Sequence, residues 1–203
     1  MTAETYVFAE RPGASPDAPT LFLFHGTGGD EHQFIELAPQ LLPGARLVAS
    51  RGDVSEGGAL RYFKRHAEGM FDMEDLARGT KKMAAFVAAR VAAEKPATTI
   101  GFGYSNGANI LASVQFEAPA LFDTAVLLHP MIPFDPKPQP GLKDKHVLIT
   151  AGKRDGICPA PATQKLAEWY DVQGADVTLF WHEGGHEIRQ EELTAIRDYL
   201  ARP

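Results

Sequence analysis

A chain of 203 residues, 44% hydrophobic and 23% charged, is long enough for one well-buried core on a scale of roughly 150 residues per domain, and its composition excludes a disordered or fibrous protein. The formal net charge of -6 and the lack of any basic run argue against nucleic acid as a partner, because counterion-driven binding needs clustered Lys and Arg. One cysteine, Cys158, leaves no internal disulfide and no cysteine zinc site and fits a reducing cytoplasm; residues 1–13 lack the charged and apolar regions of a signal peptide, so a cytoplasmic protein with no membrane partner is expected.

Taken in chain order, the elements alternate. YVF (6–8) and TLFLF (20–24) read as strands, residues 32–42 as a helix, and RLVA (46–49) as a strand. A long helix over 73–94 follows, placing Leu76, Met83, Phe86, Val87, Arg90 and Val91 near one face and stopping before Pro96. Then come strand TTIGF (98–102), helix 105–116, strands TAVLL (124–128) and KHVLIT (145–150), helix 160–172, strand DVTLFW (176–181) and helix 188–200. Several strands are near-continuously apolar, as strands covered on both faces are. No internal repeat is present. The alternation predicts one α/β domain over residues 1–203: a mostly parallel central sheet of about seven strands, flanked by helices on both faces, without a large cap domain.

Two excursions interrupt this rhythm. Residues 50–72 are rich in Gly and Arg, and residues 130–143 contain five prolines. Loops of this length in a compact domain are usually either functional or mobile, and both follow strands, so both are expected at the sheet edge where open α/β sheets bind ligands. Met70, Phe71, Met131, Ile132 and Ile157 are candidate apolar walls of a cleft there, with Arg51, Arg61 and Arg65 as candidate neighbours.

Residues 103–107 read GYSNG, a G-x-S-x-G pattern. The pattern alone is weak, but here it directly follows a predicted strand and precedes a predicted helix, the setting of a nucleophile elbow. In that sharp turn the glycines leave room where a β-carbon would collide, and the helix N-terminus favours negative charge developing nearby. Ser105 is therefore the candidate nucleophile, rather than a simple N-cap in a Gly-rich turn. The oxyanion donors expected with it are the backbone N–H of Asn106 and that of Thr27, in the HGTGGD loop after TLFLF; His25 is read as a residue that orients this loop. HGTGGD lacks the patterns of a phosphate-binding loop.

The chain order Ser, Asp or Glu, His, with each group beyond the C-terminal end of a strand, prunes the rest. Asp123, Asp144 and Asp176 precede or open strands, whereas Asp155 lies just beyond KHVLIT. Among histidines only His182 and His186 follow Asp155, and the Gly-Gly turn favours His186 as the base, with His182 second and read as a surface or packing residue. Residues 182–186, HEGGH, also match H-E-x-x-H, but two adjacent glycines would cost a helix about 2 kcal/mol relative to alanine, which disfavours a zinc-peptidase reading.

The stretches LFHGTGGDEHQF, SRGDVSEGG, GFGYSNGANI, LLHPMIP, TAGKRDGICP and GGHEI together resemble the phospholipase/carboxylesterase branch of the α/β-hydrolase superfamily, and within it the small MhqD-type hydrolases associated with quinone stress. The likeness spans nearly the whole chain after Tyr6. It places the family's catalytic residues on Ser105, Asp155 and His186 and its oxyanion amides on Thr27 and Asn106; Gly156 stands where relatives commonly carry proline. It implies a serine esterase acting on small acyl esters or thioesters, the alternative being an acyl-protein or acyl-CoA-type thioesterase or a lysophospholipase, with a small-molecule ester as partner and with no cofactor or metal. A non-catalytic ligand-binding relative is the rival of a different class, and a homodimer through an exposed apolar loop is an open option.

Overall fold

The computed structural model describes residues 6–202; positions 1–5 and 203, part of the expected 1–203 domain, lie outside them. Seven strands form one sheet: β1 (Phe8–Arg11), β2 (Thr20–Phe24), β3 (Arg46–Ser50), β8 (Thr99–Tyr104), β9 (Thr124–Leu128), β10 (His146–Gly152) and β11 (Asp176–His182). Their spatial order is β1-β3-β2-β8-β9-β10-β11, and only the β1–β3 pair is antiparallel. The helices are α1 (Ala38–Leu41), α2 (Met73–Glu94), α3 (Asn106–Glu117), α4 (Ala160–Val172) and α5 (Gln190–Leu200).

The near-continuous apolarity of the strands has the predicted cause. Phe22, Phe24, Val147 and Ile149 pack into one buried cluster with α2, α3 and α4, while Leu21, Leu23, Leu148 and Phe102 pack into a second with α1 and α5. Successive strand residues face opposite sides, so each strand feeds both cores. The α2 helix buries Leu76, Met83, Phe86 and Val87, and Asp72 caps it by accepting the Asp75 N–H at 3.0 Å. Arg90 stays at the edge of that face, its guanidinium 4.9 Å from the centroid of the Phe8 ring.

Three elements depart from the sequence expectation. The helix over 32–42 shrinks to α1, because Pro39 lacks an N–H and its ring would collide with the carbonyl of Ile35; it is accommodated only in a first turn. The first strand begins at Phe8 rather than Tyr6. The excursion 50–72 is two short hairpins: β4 (Val54–Glu56) with β5 (Ala59–Arg61), and β6 (Arg65–Ala67) with β7 (Met70–Phe71). Gly57 and Gly58 turn the first with φ of 59° and 94°, the two positive values a tight two-residue hairpin requires.

Candidate active site

The six C-terminal ends of the parallel strands bring the predicted residues to one edge. Between β8 and α3 the chain turns at Ser105 with φ 53° and ψ -115°, a conformation that a residue with a β-carbon adopts only under constraint. The constraint is close packing. A β-carbon on Gly103 would lie 2.5 Å from the Gly107 carbonyl oxygen, and one on Gly107 would lie 2.2 Å from that of Phe24. The strained turn therefore sits directly on β2 and the loop that follows it.

Ser105 Oγ lies 2.9 Å from His186 Nε2, and His186 Nδ1 lies 2.7 Å from Asp155 Oδ2. Asp155 Oδ1 accepts the amides of Ile157 and Cys158, each at 2.8 Å. Burial would raise this carboxyl, but the Cys158 amide, His186 and His129 outweigh it and hold Asp155 below the ordinary carboxylate range. The group is thus kept as an anion with all its lone pairs directed. Tyr104 donates its hydroxyl to the His186 carbonyl at 2.7 Å and lays its ring 5.4 Å from the imidazole, fixing the turn that carries it; burial pushes the Tyr104 hydroxyl up to about 12, so it remains a donor.

The second wall is the loop after β2. His25 is buried, its Nδ1 donating to Gly26 O at 2.7 Å and its Nε2 accepting the Gly52 N–H at 2.8 Å. It ties the loop to the start of the hairpin region, which is the orienting role expected of it, and burial lowers its basicity so that it stays neutral. Asn106 opens α3, so its amide has no intrahelical acceptor and is free to point at a ligand. The Asn106 side chain is used elsewhere, accepting the Tyr62 N–H at 2.8 Å. The Thr27 hydroxyl is held by Arg61 at 2.7 Å.

Ser105, His186, Thr27 and Asn106 share one cavity of about 290 Å³. Phe71, Met131 and Ile157 supply apolar wall as expected. Met70 and Ile132 do not: Met70 is exposed, and Ile132 packs against the core. Arg61 and Arg65 reach the cavity, and both are paired, Arg61 with Glu56 and Arg65 with Glu56 and Glu68. Arg51 instead forms a bidentate pair with Glu31.

The HEGGH stretch forms no helix. His182 closes β11, and α5 begins only at Gln190, so the one-face pairing of an H-E-x-x-H zinc site does not arise. His182 is fully buried, which settles its packing role against a surface one. Three residues near the site are not marked by the strand-end and chain-order rules: Tyr104, His129 and Glu192. His129 precedes Asp155 in the chain, and the chain-order rule selects bases but says nothing about what holds the carboxylate.

No family model matches the sequence. Over 181 residues the chain is 38% identical to the Bacillus subtilis (strain 168) protein called "Putative hydrolase MhqD", covering 88% of this chain and 90% of that protein. The structure is similar to that of a Bacillus cereus carboxylesterase, with a TM-score of 0.92 and 34% identity over 96% of this chain and 93% of that one. It is also similar to a protein of unknown function from Agrobacterium tumefaciens str. C58, with a TM-score of 0.93 and 51% identity over 99% and 98% of the two chains. Sheet, elbow and carboxylesterase likeness together define an esterase-type hydrolase with the α/β-hydrolase fold. The chain belongs to the phospholipase/carboxylesterase-type family of these enzymes, with MhqD as a relative.

Proposed function

We propose that this hydrolase cleaves carboxylic esters of small acyl groups through an acyl-enzyme on Ser105. His186 Nε2 takes the hydroxyl proton as Ser105 Oγ attacks the carbonyl carbon, and Asp155 holds the imidazole in the required tautomer and stabilises the imidazolium. The tetrahedral oxygen is received by the amides of Thr27 and Asn106, an arrangement typically worth a few kcal/mol of barrier. His186 then protonates the leaving alcohol; water, activated by the same imidazole, releases the acid and frees Ser105.

The observation that carries this reading is the continuous chain of hydrogen bonds from Ser105 through His186 to Asp155, at 2.9 and 2.7 Å, on the floor of a single cavity. A non-catalytic binding role would give no reason to keep the strained serine turn. A volume of about 290 Å³ is at the bottom of the range for small-molecule sites, favouring short acyl chains and a small-molecule partner. Acyl thioesters, including those of CoA or acylated proteins, are open to the same steps and are a second substrate class.

The test is hydrolysis of p-nitrophenyl acetate with labelling by a fluorophosphonate. Ser105→Ala is expected to lose the label and at least about 10³-fold in kcat. A chelator-sensitive activity that survives this substitution would sink the proposal.

A further inference from the structure

Packed against Asp155 is a fully buried polar cluster that the ester chemistry above does not use: His129, His182, Glu192 and Thr150. His129 Nδ1 lies 3.0 Å from Asp155 Oδ2, the same oxygen that His186 engages, and His129 Nε2 lies 3.2 Å from Glu192 Oε1. Glu192 Oε1 also receives the Thr150 hydroxyl, and its Oε2 receives the Arg189 N–H at 3.1 Å.

The hydrogen bonds assign the protons. The Gly184 N–H donates to His182 Nδ1 at 3.0 Å, so the His182 proton is on Nε2, which faces Glu192 Oε2 at 3.9 Å and His129 Nε2 at 3.4 Å. Although His129, His182 and Glu192 have the spacing of a two-histidine, one-carboxylate metal site, the protonated nitrogen of His182 is the one that would have to bind. Glu192 instead accepts from the Thr150 hydroxyl and the Arg189 N–H, and His129 Nε2 stands 3.2 Å from its Oε1. A neutral His129 that donates Nδ1–H to Asp155 would have no proton left for Glu192.

We propose that His129 is a buried imidazolium clamped between the carboxylates of Asp155 and Glu192, a positioning residue that shares Asp155 Oδ2 with His186 and so sets how strongly that carboxylate holds the His186 ring. The inference rests on the reading of Ser105, His186 and Asp155 as the catalytic residues. A second observation supports a built site. His129 stands at the end of β9 with φ 51°, strained for a residue with a β-carbon, and is pinned by its N–H donating to Thr150 O at 2.8 Å and by the Cys158 thiol donating to its carbonyl at 3.2 Å.

Burial works against a charged His129, but Glu192 first and then Asp155 outweigh it and raise its basicity. The titratable groups facing His129 are Asp155, Glu192, His182 and His186, with Tyr104 from β8 at a ring distance of 5.8 Å and the Cys158 thiol. Burial pushes both Tyr104 and Cys158 up, so neither supplies a competing negative charge. The His129 and His186 ring centroids are 5.2 Å apart, so a positive His129 disfavours a second positive ring directly.

The experiment is the pH profile of kcat/KM on p-nitrophenyl acetate for the wild type, His129→Asn and Glu192→Gln. Asn tolerates the left-handed backbone and keeps a donor toward Asp155 while removing the charge; Gln keeps the shape of Glu192 while removing its anion. Both variants are expected to move the acid limb of the profile upward, His129→Asn by about one pH unit and Glu192→Gln by less. An acid limb that stays in place in both variants, whatever happens to kcat, means that the cluster is only structural and overturns the proposal. Ser105→Ala is run beside them: loss of activity upholds the reading on which the proposal rests, while retention removes that reading and the proposal with it.

Discussion

At the scale of single residues, the site is governed by what surrounds each charge. Asp155 is an anion because two amides and two imidazole nitrogens meet its carboxylate, more than balancing the cost of burial. A carboxyl whose folded-state basicity is depressed contributes stability that is present above its unfolded-state value, near pH 4, and that is lost as the pH falls through its lower folded value. The wild type is therefore expected to lose thermal stability on acidification partly through Asp155. Asp155→Asn, which no longer titrates, should show a flatter acid side in a series of melting temperatures between about pH 6 and pH 3. A variant curve parallel to that of the wild type would contradict this assignment.

At the scale of elements, the elbow is the joint between β8, α3 and β2. Ser105 is not placed by its own preference, since its φ of 53° is unfavourable; it is placed because α3 starts against the carbonyls of Phe24 and His25 with no side chain in between. Gly107→Ala inserts a methyl group 2.2 Å from the Phe24 oxygen and 2.6 Å from that of His25. These are backbone atoms at the end of a strand hydrogen-bonded on both sides, so they yield little. The expected cost is about 2–3 kcal/mol in urea denaturation, together with a loss of esterase activity because the Thr27 loop is displaced. Stability unchanged within about 0.5 kcal/mol would show that the joint is looser than the packing implies. Glycine spacing made this joint legible in the sequence. The strand-helix alternation is legible for the same local reason, and Pro39 and Gly57-Gly58 are local signals too, the first shortening a helix and the second turning a hairpin.

At the scale of the molecule, loops from four strands and the hairpins of residues 50–72 close over the sheet edge and leave one small cavity above Ser105. Its apolar wall comes from three distant segments: Phe71 on β7, Met131 after β9 and Ile157 after β10. Activity is expected to fall about tenfold or more between p-nitrophenyl butanoate and the decanoate at matched subsaturating concentration, since the longer chain outgrows this volume. Ile157→Gly should narrow that gap. A flat profile across chain length in the wild type would mean that the acyl group lies outside the cavity.

The sequence by itself determined what depends on neighbours along the chain: the alternation of elements, the strand-turn-helix context of Ser105, and the strand-end positions that singled out Asp155 and His186. These follow from period and spacing, which act over a few residues. Only the tertiary structure decided which groups stand behind the carboxylate. Glu192 on α5, His129 after β9 and Thr150 on β10 are far apart in sequence, and each taken alone reads as an ordinary polar residue. Their buried contact exists because α5 packs across the ends of β10 and β11. The low-dielectric interior makes the sharing of protons among them a property of the assembled fold.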